Sequence, residues 1–411
     1  MNRVLIIIPI ASYRAHDFMA AANRLDIQVI IGSDRRQALS KLLPGTSLTL
    51  NFRKLESSLR KIRDLAQKEP LNAIVGVDEE TVILAAMSSK MLGLPYNSIS
   101  SVRATRDKYL MRHKMMKAGL LSPNFRACSI ESNPKKLAAK IGYPCVLKPT
   151  FLSASEGVIR TNSPSEFGDA FRQIKKIISG PSNRKKSPEN KDQILVEDYI
   201  PGTEVAVEGI LINGKFKLLA IFDKPDPLEG PYFVETIYVT PSCYPESTQT
   251  EIIKTTTDAI NAIGLTSGPV HAEMRINKKG IWVLEIAARS IGGLCSRALK
   301  FEGDISLEEL ILRHAIGDDI YRIKREEKAA GVMMMPVLKA GILKEVKNIQ
   351  SAKQIPGIEN IVITIAPEQK LEPLPSGSKY LGFIFARGET PVSVEKAIRK
   401  AYSSLEIVID S

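Results

Sequence analysis

A doubly wound α/β unit followed by α+β units is the fold class this sequence predicts, and three observations predict it. Residues 1–100 alternate short apolar runs with amphipathic stretches, the pattern of a small parallel sheet covered by helices. Beyond residue 193 the period changes to paired, alternating runs joined by the turn signals Asn213-Gly214 and Asn277-Lys278-Lys279-Gly280, as antiparallel hairpins require. The chain's 411 residues exceed one ordinary hydrophobic core, so two to four domains are expected.

The first run, residues 3–10, is almost wholly apolar, as a strand buried on both faces must be. Residues 17–25 read as a helix, 27–32 as a strand, 55–68 as an amphipathic helix, and 71–77 as a strand ending at Asp78-Glu79-Glu80. Residues 81–92 are helical and 94–97 a short strand. ASYRAHD follows the first strand in place of GxGxxG, which argues against a dinucleotide enzyme. Ser12, Tyr13, Arg14 and Asp78 stand where such sheets gather ligands, although ordinary loop roles suit them better.

Residues 103–118 read as one helix rich in Lys, Arg and Met, closed by Gly119 and carrying Lys108, which by itself reads as solvated. A helix over 133–141 leads to a strand over 143–149 that ends on Lys148-Pro149. The loop Ser153-Ala154-Ser155-Glu156-Gly157-Val158 has small side chains, which let backbone N–H groups approach phosphate oxygens, although most such loops are only turns. Next come a helix over 163–178 capped by Ser165, a strand over 194–199 and a hairpin of 203–212 with 215–222. A strand over 232–239 and helices over 246–263 and 306–316 follow. Residues 331–411 hold short strands and a last helix opened by Thr390-Pro391. With no cluster of titratable residues, this tail reads as structural.

Residues 269–294, GPVHAEMRINKKGIWVLEIAARSIGGL with its leading glycine, organise the rest. A three-residue loop closed by a G1 bulge pairs Asn277 with Ile281 and sets Glu273 opposite Glu285. One face then carries Ala272, Met274, Ile276, Trp282, Leu284 and Ile286. The other carries His271, Glu273, Arg275, Glu285 and, just past the strand, Arg289. Opposed like charges destabilise a ladder, so the two glutamates either share a divalent cation or lie on a solvated face beside Arg and Lys.

Composition is that of a soluble globular protein, 44% hydrophobic and 25% charged, with no apolar run near the length of a membrane span. The start lacks a signal-peptide cleavage site and reads as a first strand. Four cysteines without CxxC spacing suggest neither a zinc site nor a disulfide framework, and the protein reads as cytoplasmic. The net charge of +12 is dispersed apart from Arg184, Lys185 and Lys186 in what reads as a flexible loop. Attraction of small anions therefore explains it better than nucleic acid.

The order of Lys148, the Ser/Gly loop, VEDYIPGTE, HAEMRI and VLEIAAR resembles the ATP-grasp superfamily over residues 103–320. The flanks agree, resembling a pre-ATP-grasp domain and the C-terminal domain of biotin carboxylase-like and L-amino acid ligase-like members. The resemblance implies domains at 1–102, 103–325 (with a lid over about 122–199) and 326–411. It implies ATP as the nucleotide and Mg²⁺, or Mn²⁺ in its place, as the metal. Lys108 and Lys148 match phosphate-contacting lysines, and Ser153, Ser155, Gly157 and Val158 fall in the lid loop, where Ala154 replaces a common glycine. Glu197, Asp198, Tyr199 and Ile200 match the adenine hinge, and Glu204 the ribose carboxylate.

Glu273 and Glu285 match the metal ligands, whereas Ala287 stands where many members have a metal-binding Asn. Arg289 matches the arginine that steadies the acyl phosphate or carboxylate. Lys224, Glu235, Ser290, Gly292 and Gly293 complete the carboxylate and amine pocket, with Arg289 and Lys224 as the catalytic pair. For His271 and Arg297 a structural hydrogen bond is the better reading. The expected activity is an ADP-forming carboxylate–amine ligase acting on small molecules as a homodimer, with neither nucleic acid nor membrane as partner. Biotin-dependent carboxylation, which would need a carrier, and a nucleotide-binding regulator without turnover are the alternatives.

Overall fold

β1 (Arg3–Ile7), α1 (Ala15–Arg24), β2 (Gln28–Ser33), β3 (Ser47–Thr49), α2 (Leu55–Lys68), β4 (Ala73–Gly76) and α3 (Val82–Met91) build a four-stranded parallel sheet ordered β3-β2-β1-β4. The structure is a computed structural model that describes residues 2–35, 47–180, 183 and 192–410. Four of the five β1 residues are buried, because helices cover both faces of the sheet. The strand expected at 94–97 is irregular. Pro95 has no N–H for a ladder, and Asn97 instead binds another segment, accepting from Thr266 N at 2.7 Å and donating to Ser267 O at 2.6 Å.

The single helix expected over 103–118 is two, α4 (Ile99–Arg106) and α5 (Lys108–Lys117). Asp107 is extended between them and caps α5, accepting from Tyr109 N and Leu110 N at 2.9 and 3.1 Å. That break sets Lys108 at the head of α5. β5 (Phe125–Ser129), α6 (Pro134–Ala138), β6 (Cys145–Pro149), β7 (Ile159–Thr161), α7 (Pro164–Ser179) and β8 (Gln193–Asp198) follow, with strand order β5-β8-β6-β7. The cap of α7 is Ser163 rather than Ser165; its hydroxyl accepts from Glu166 N at 3.3 Å, and Pro164 takes the first turn. Arg184, Lys185 and Lys186 lie outside the described residues.

The remainder comprises β9 (Thr203–Ile212), β10 (Lys215–Lys224), β11 (Ile237–Thr240), α8 (Glu246–Ile263), β12 (Gly268–Asn277), β13 (Gly280–Ala287), β14 (Lys300–Phe301), β15 (Ile305–Ser306) and α9 (Leu307–Ala315). It closes with β16 (Ala329–Met335), β17 (Gly341–Lys347), α10 (Ile349–Lys353), β18 (Ile358–Ile363), β19 (Lys370–Leu371), β20 (Gly382–Gly388), α11 (Pro391–Ser404) and β21 (Glu406–Asp410). Eight strands form one sheet, β13-β12-β9-β10-β11-β16-β20-β18, so the tail extends the sheet that holds the central hairpin. Of the expected 232–239 strand only residues 237–239 join it, in β11; Tyr232 makes an isolated bridge to Ile159. Among the described residues, no helix is long and apolar enough to cross a membrane.

The hairpin reaches its expected pairing by another route. Asn277 pairs with Gly280, so the turn has two residues, and the ladder runs Arg275–Trp282 and Met274–Val283 before a bulge admits Leu284 and Glu273 meets Glu285. Between turn and bulge the faces of β13 are therefore exchanged, while those of β12 are kept. Ile281 and Val283 enter the core with Ala272 and Met274, while Trp282 and Leu284, expected there, do not. Leu284 faces a cavity.

Candidate active site

That cavity, about 430 Å³, is walled by the loops after β1 and β4, the four-stranded sheet around β6 and β8, and one face of the eight-stranded sheet. Its floor is a grid of charges set by strand register. Glu204 on β9 lies opposite Lys224 on β10 and Arg275 on β12, and Glu208 lies opposite His271. Opposite charges on neighbouring rungs stabilise each other, unlike the glutamate pair. Arg275 donates to Glu204 at 3.1 Å and to Ile200 O at 2.6 Å, tying the segment after β8 to the floor.

Lys224 is not on the wall. Its ammonium is buried beneath three carboxylates, 2.6 Å from Glu204, 2.6 Å from Glu235 and 3.1 Å from Glu273. Burial alone would lower its pKa, but the three carboxylates outweigh it and hold Lys224 well above the ordinary lysine value. Those carboxylates have oxygens within 4.8 Å of one another, a spacing that suits a cation, and the Lys224 ammonium is the cation they share. Burial, with Glu273 and Glu204 adding to it, raises Glu235 to about 7 against the pull of Lys224. Tyr238 donates to Glu235 at 2.9 Å, and Tyr380 stands 3.5 Å from its other oxygen.

On the four-stranded sheet, Lys148, next to last in β6, stands on a rung diagonal to Glu197 of β8. Its ammonium donates to Glu197, which also accepts from Arg112 Nε at 2.9 Å. All three are buried. Burial would raise Glu197, yet Arg112 and then Lys148 hold it down at about 2. Burial brings Lys148 down to about 8, with Glu197 opposing. Lys108 reaches across from α5, donating to Leu152 O at 2.6 Å and lying 3.3 Å from Glu285.

Ser153, Ser155, Val158, Asp198, Tyr199, Ile200, Gly292 and Gly293 line the cavity with the residues above. Gly157 and Ser290 stand off the wall. Gly157 N donates to Pro375 O at 3.0 Å, and Ser290 O accepts from Arg289 at 2.8 Å. Arg289 projects in from just past β13, and its Nε lies 2.8 Å from Glu79 at the end of β4. Burial would lower Arg289; Glu79 and then Glu285 raise it, so the guanidinium stays charged.

Glu273 and Glu285 open on the same cavity, and their side chains keep 21% exposure each. The set is carboxylate oxygen only, which fits a hard cation. Ala287 is fully buried, and His271 lies opposite it, bound to Glu208 and 3.5 Å from Glu273. Burial would lower His271, but Glu208 and Glu273 carry it up to about 9. Arg297 forms two 2.8 Å bonds to Asp17, outside the cavity.

Arg112, Glu208, Tyr238, Met334, Ser378 and Tyr380 were not singled out from the sequence. Met111 and Met115, buried on α5, mark the side on which Arg112 is enclosed. Tyr380, Ser378 and Met334 overturn the purely structural role of the tail, because they line the cavity. Ser12, Tyr13, Arg14 and Asp78, rated ordinary loop residues, line it too.

Three family models match the chain: an ATP-grasp N-terminal domain over residues 19–96, an ATP-grasp domain over 141–298, and an L-amino acid ligase C-terminal domain 2 over 333–410. An uncharacterised protein of Sinorhizobium fredii is 21% identical over 99% of this chain and 83% of its own. Alanine–anticapsin ligase of Bacillus subtilis is 27% identical over 62% of this chain, and the match spans 56% of that ligase. The crystal structure of an L-amino acid ligase from Bacillus licheniformis superposes with a TM-score of 0.85 at 24% identity, covering 100% of this chain and 99% of the other. The chain belongs to the ATP-grasp superfamily.

Proposed function

We propose that the chain is an ADP-forming ligase that uses ATP and Mg²⁺ to activate a small carboxylate as an acyl phosphate and passes it to an amine. The observation that carries this is the convergence of Lys108, Lys148, Glu273, Glu285 and Arg289 on one cavity. Phosphoryl transfer needs positioning and charge neutralisation rather than a protein nucleophile. Lys148 and Lys108, with the amides and hydroxyls of the 153–158 loop, hold the phosphates. The 197–200 hinge takes the adenine and Glu204 the ribose. Glu273 and Glu285 would hold the Mg²⁺, which neutralises phosphate charge when bound. Mn²⁺ would suit the same oxygens.

Arg289, steadied by Glu79, holds the carboxylate while one of its oxygens takes the γ-phosphoryl group and ADP leaves. The amine nitrogen then attacks the carbonyl carbon, the bond to the phosphate oxygen breaks, and a proton leaves the nitrogen. Gly292, Gly293 and Glu235 form the pocket around the reacting groups, and Lys224 holds Glu204, Glu235 and Glu273 in place from beneath. The division at residues 102 and 325, the lid over about 122–199, a cytoplasmic location and a homodimer belong to the same proposal. Nucleic acid and membrane have no part in it.

ADP release in the presence of Mg²⁺ should require a carboxylate, and hydroxylamine should trap a hydroxamate. A full amino acid panel that yields neither ADP nor hydroxamate would refute the ligase reading.

A further inference from the structure

The loop after β1 places Arg14 in the cavity wall at only 1% exposure. Its Nη2 donates to Glu308 at 2.9 Å, while Nε and Nη1 are buried without a hydrogen-bond partner. Every other basic side chain on the wall is engaged: Lys148 with Glu197, Lys108 with Glu285, His271 with Glu208, Arg275 with Glu204, Arg289 with Glu79. Among the described residues, Arg14 is the lining cation that keeps buried nitrogens unmatched. Such groups are rare enough that each calls for a partner or a reason. Glu308, at 2% exposure, balances the charge of Arg14 but occupies one nitrogen of three.

Its surroundings point to the reacting end of the cavity. Tyr13, the preceding residue, packs edge-on against Phe383 at 6.0 Å, and Tyr380 also packs edge-on against it at 6.0 Å. Gly293 approaches that same ring so closely that a Cβ would stand 3.0 Å from it. Cys295 and Glu235 line the same cavity as Arg14.

We propose that Arg14 is a specificity-determining residue that anchors a carboxylate other than the one phosphorylated, carried by the amine substrate. This rests on the ligase reading. It separates two kinds of acceptor, since an α-amino acid offers a carboxylate to a guanidinium and a simple amine offers none.

The test compares alanine with ethylamine as acceptors, at saturating ATP, Mg²⁺ and donor, in the wild type and in Arg14→Lys, which keeps a cation beside Glu308. The quantity read is the ratio of kcat/KM for alanine to that for ethylamine. Loss of a charged hydrogen bond should lower this ratio by about 10- to 100-fold. A purely structural role would depress both acceptors alike, and an unchanged ratio overturns the proposal. So does a loss confined to dicarboxylate donors. Calorimetry on the wild type, with a non-hydrolysable ATP analogue, adds an arm that needs no variant: alanine should bind more tightly than ethylamine, and equal binding overturns the proposal. Absence of ADP release with every pair would instead sink the ligase reading, leaving calorimetry to judge Arg14.

Discussion

Replacing Glu197 by Gln probes the support of the buried Lys148 ammonium. Glu197 is 4% exposed and lies between Arg112 and Lys148, which are 0% and 7% exposed. The pair of cations brings its carboxyl from 4.5 to about 2 despite burial. A displacement of that size corresponds to about 3 kcal/mol of stability carried by the ionised form, shared among three coupled groups. Because the folded value lies below the unfolded one, the contribution is complete above pH 4.5 and disappears as pH falls through about 2.

Glu197→Gln removes the anion and leaves two buried cations facing each other, so the expected loss at pH 7 is about 3–5 kcal/mol. Lys148 should fall further below about 8, since Glu197 is what raises it. Urea unfolding of both proteins at pH 7, and then at intervals from pH 4.5 towards 2, measures the effect. The gap between them should be largest at neutral pH and narrow with acid. A variant within about 0.5 kcal/mol of wild type at pH 7, or a gap indifferent to acid, would refute the reasoning.

Three further substitutions test other parts of the site. Glu285→Ala should lower kcat by at least about 100-fold while the thermal midpoint stays put, because its carboxylate is on the wall and pairs only loosely with Lys108; unchanged turnover sinks its metal role. Gly202→Ala should cost at least about 2 kcal/mol in denaturant melts, since φ is +128° and a Cβ would stand 2.2 Å from Ile276 O; an unmoved midpoint would show that the hinge backbone is otherwise arranged. Ala287→Asn should destabilise by about 1–3 kcal/mol and leave the Mg²⁺ requirement unchanged, because Ala287 is fully buried opposite His271. Wild-type stability with a lower Mg²⁺ requirement would show that the amide has both room and a metal to bind.

Elements whose signal is local were legible in the sequence. β9 and α8 begin and end where their patterns do, and Thr390-Pro391 opens α11 with a capping box closed by Ser393. The break at Asp107 had a readable cause, an N-cap residue before a helix-forming run, but the Lys, Arg and Met on both sides disguised it. The bulge at Leu284 had none. An uninterrupted ladder would fix the register from the turn, but here a shorter turn and a later bulge cancel at Glu273 and Glu285 while exchanging the faces of β13 between them. The glutamates stand opposed because the shorter turn and the bulge offset each other.

The site was legible as a set of charges and not as a set of partners. Glu204, Lys224, Glu273 and Arg275 each interrupt an apolar strand, and a charge there has to be matched or used. Which it is depends on register and on residues far along the chain. Arg112 and Glu197 are 85 positions apart, and Arg14 and Glu308 are 294 apart. The partner decides function in both directions: three carboxylates enclose Lys224 and take it off the cavity wall, so it shapes the site without facing a substrate. Arg14, which looked like an ordinary loop residue, is left with two nitrogens unmatched inside the same cavity. A cation's importance to a substrate grows with what the fold leaves unsatisfied on it. On that criterion Arg14 belongs to the binding surface and Lys224 to its foundation.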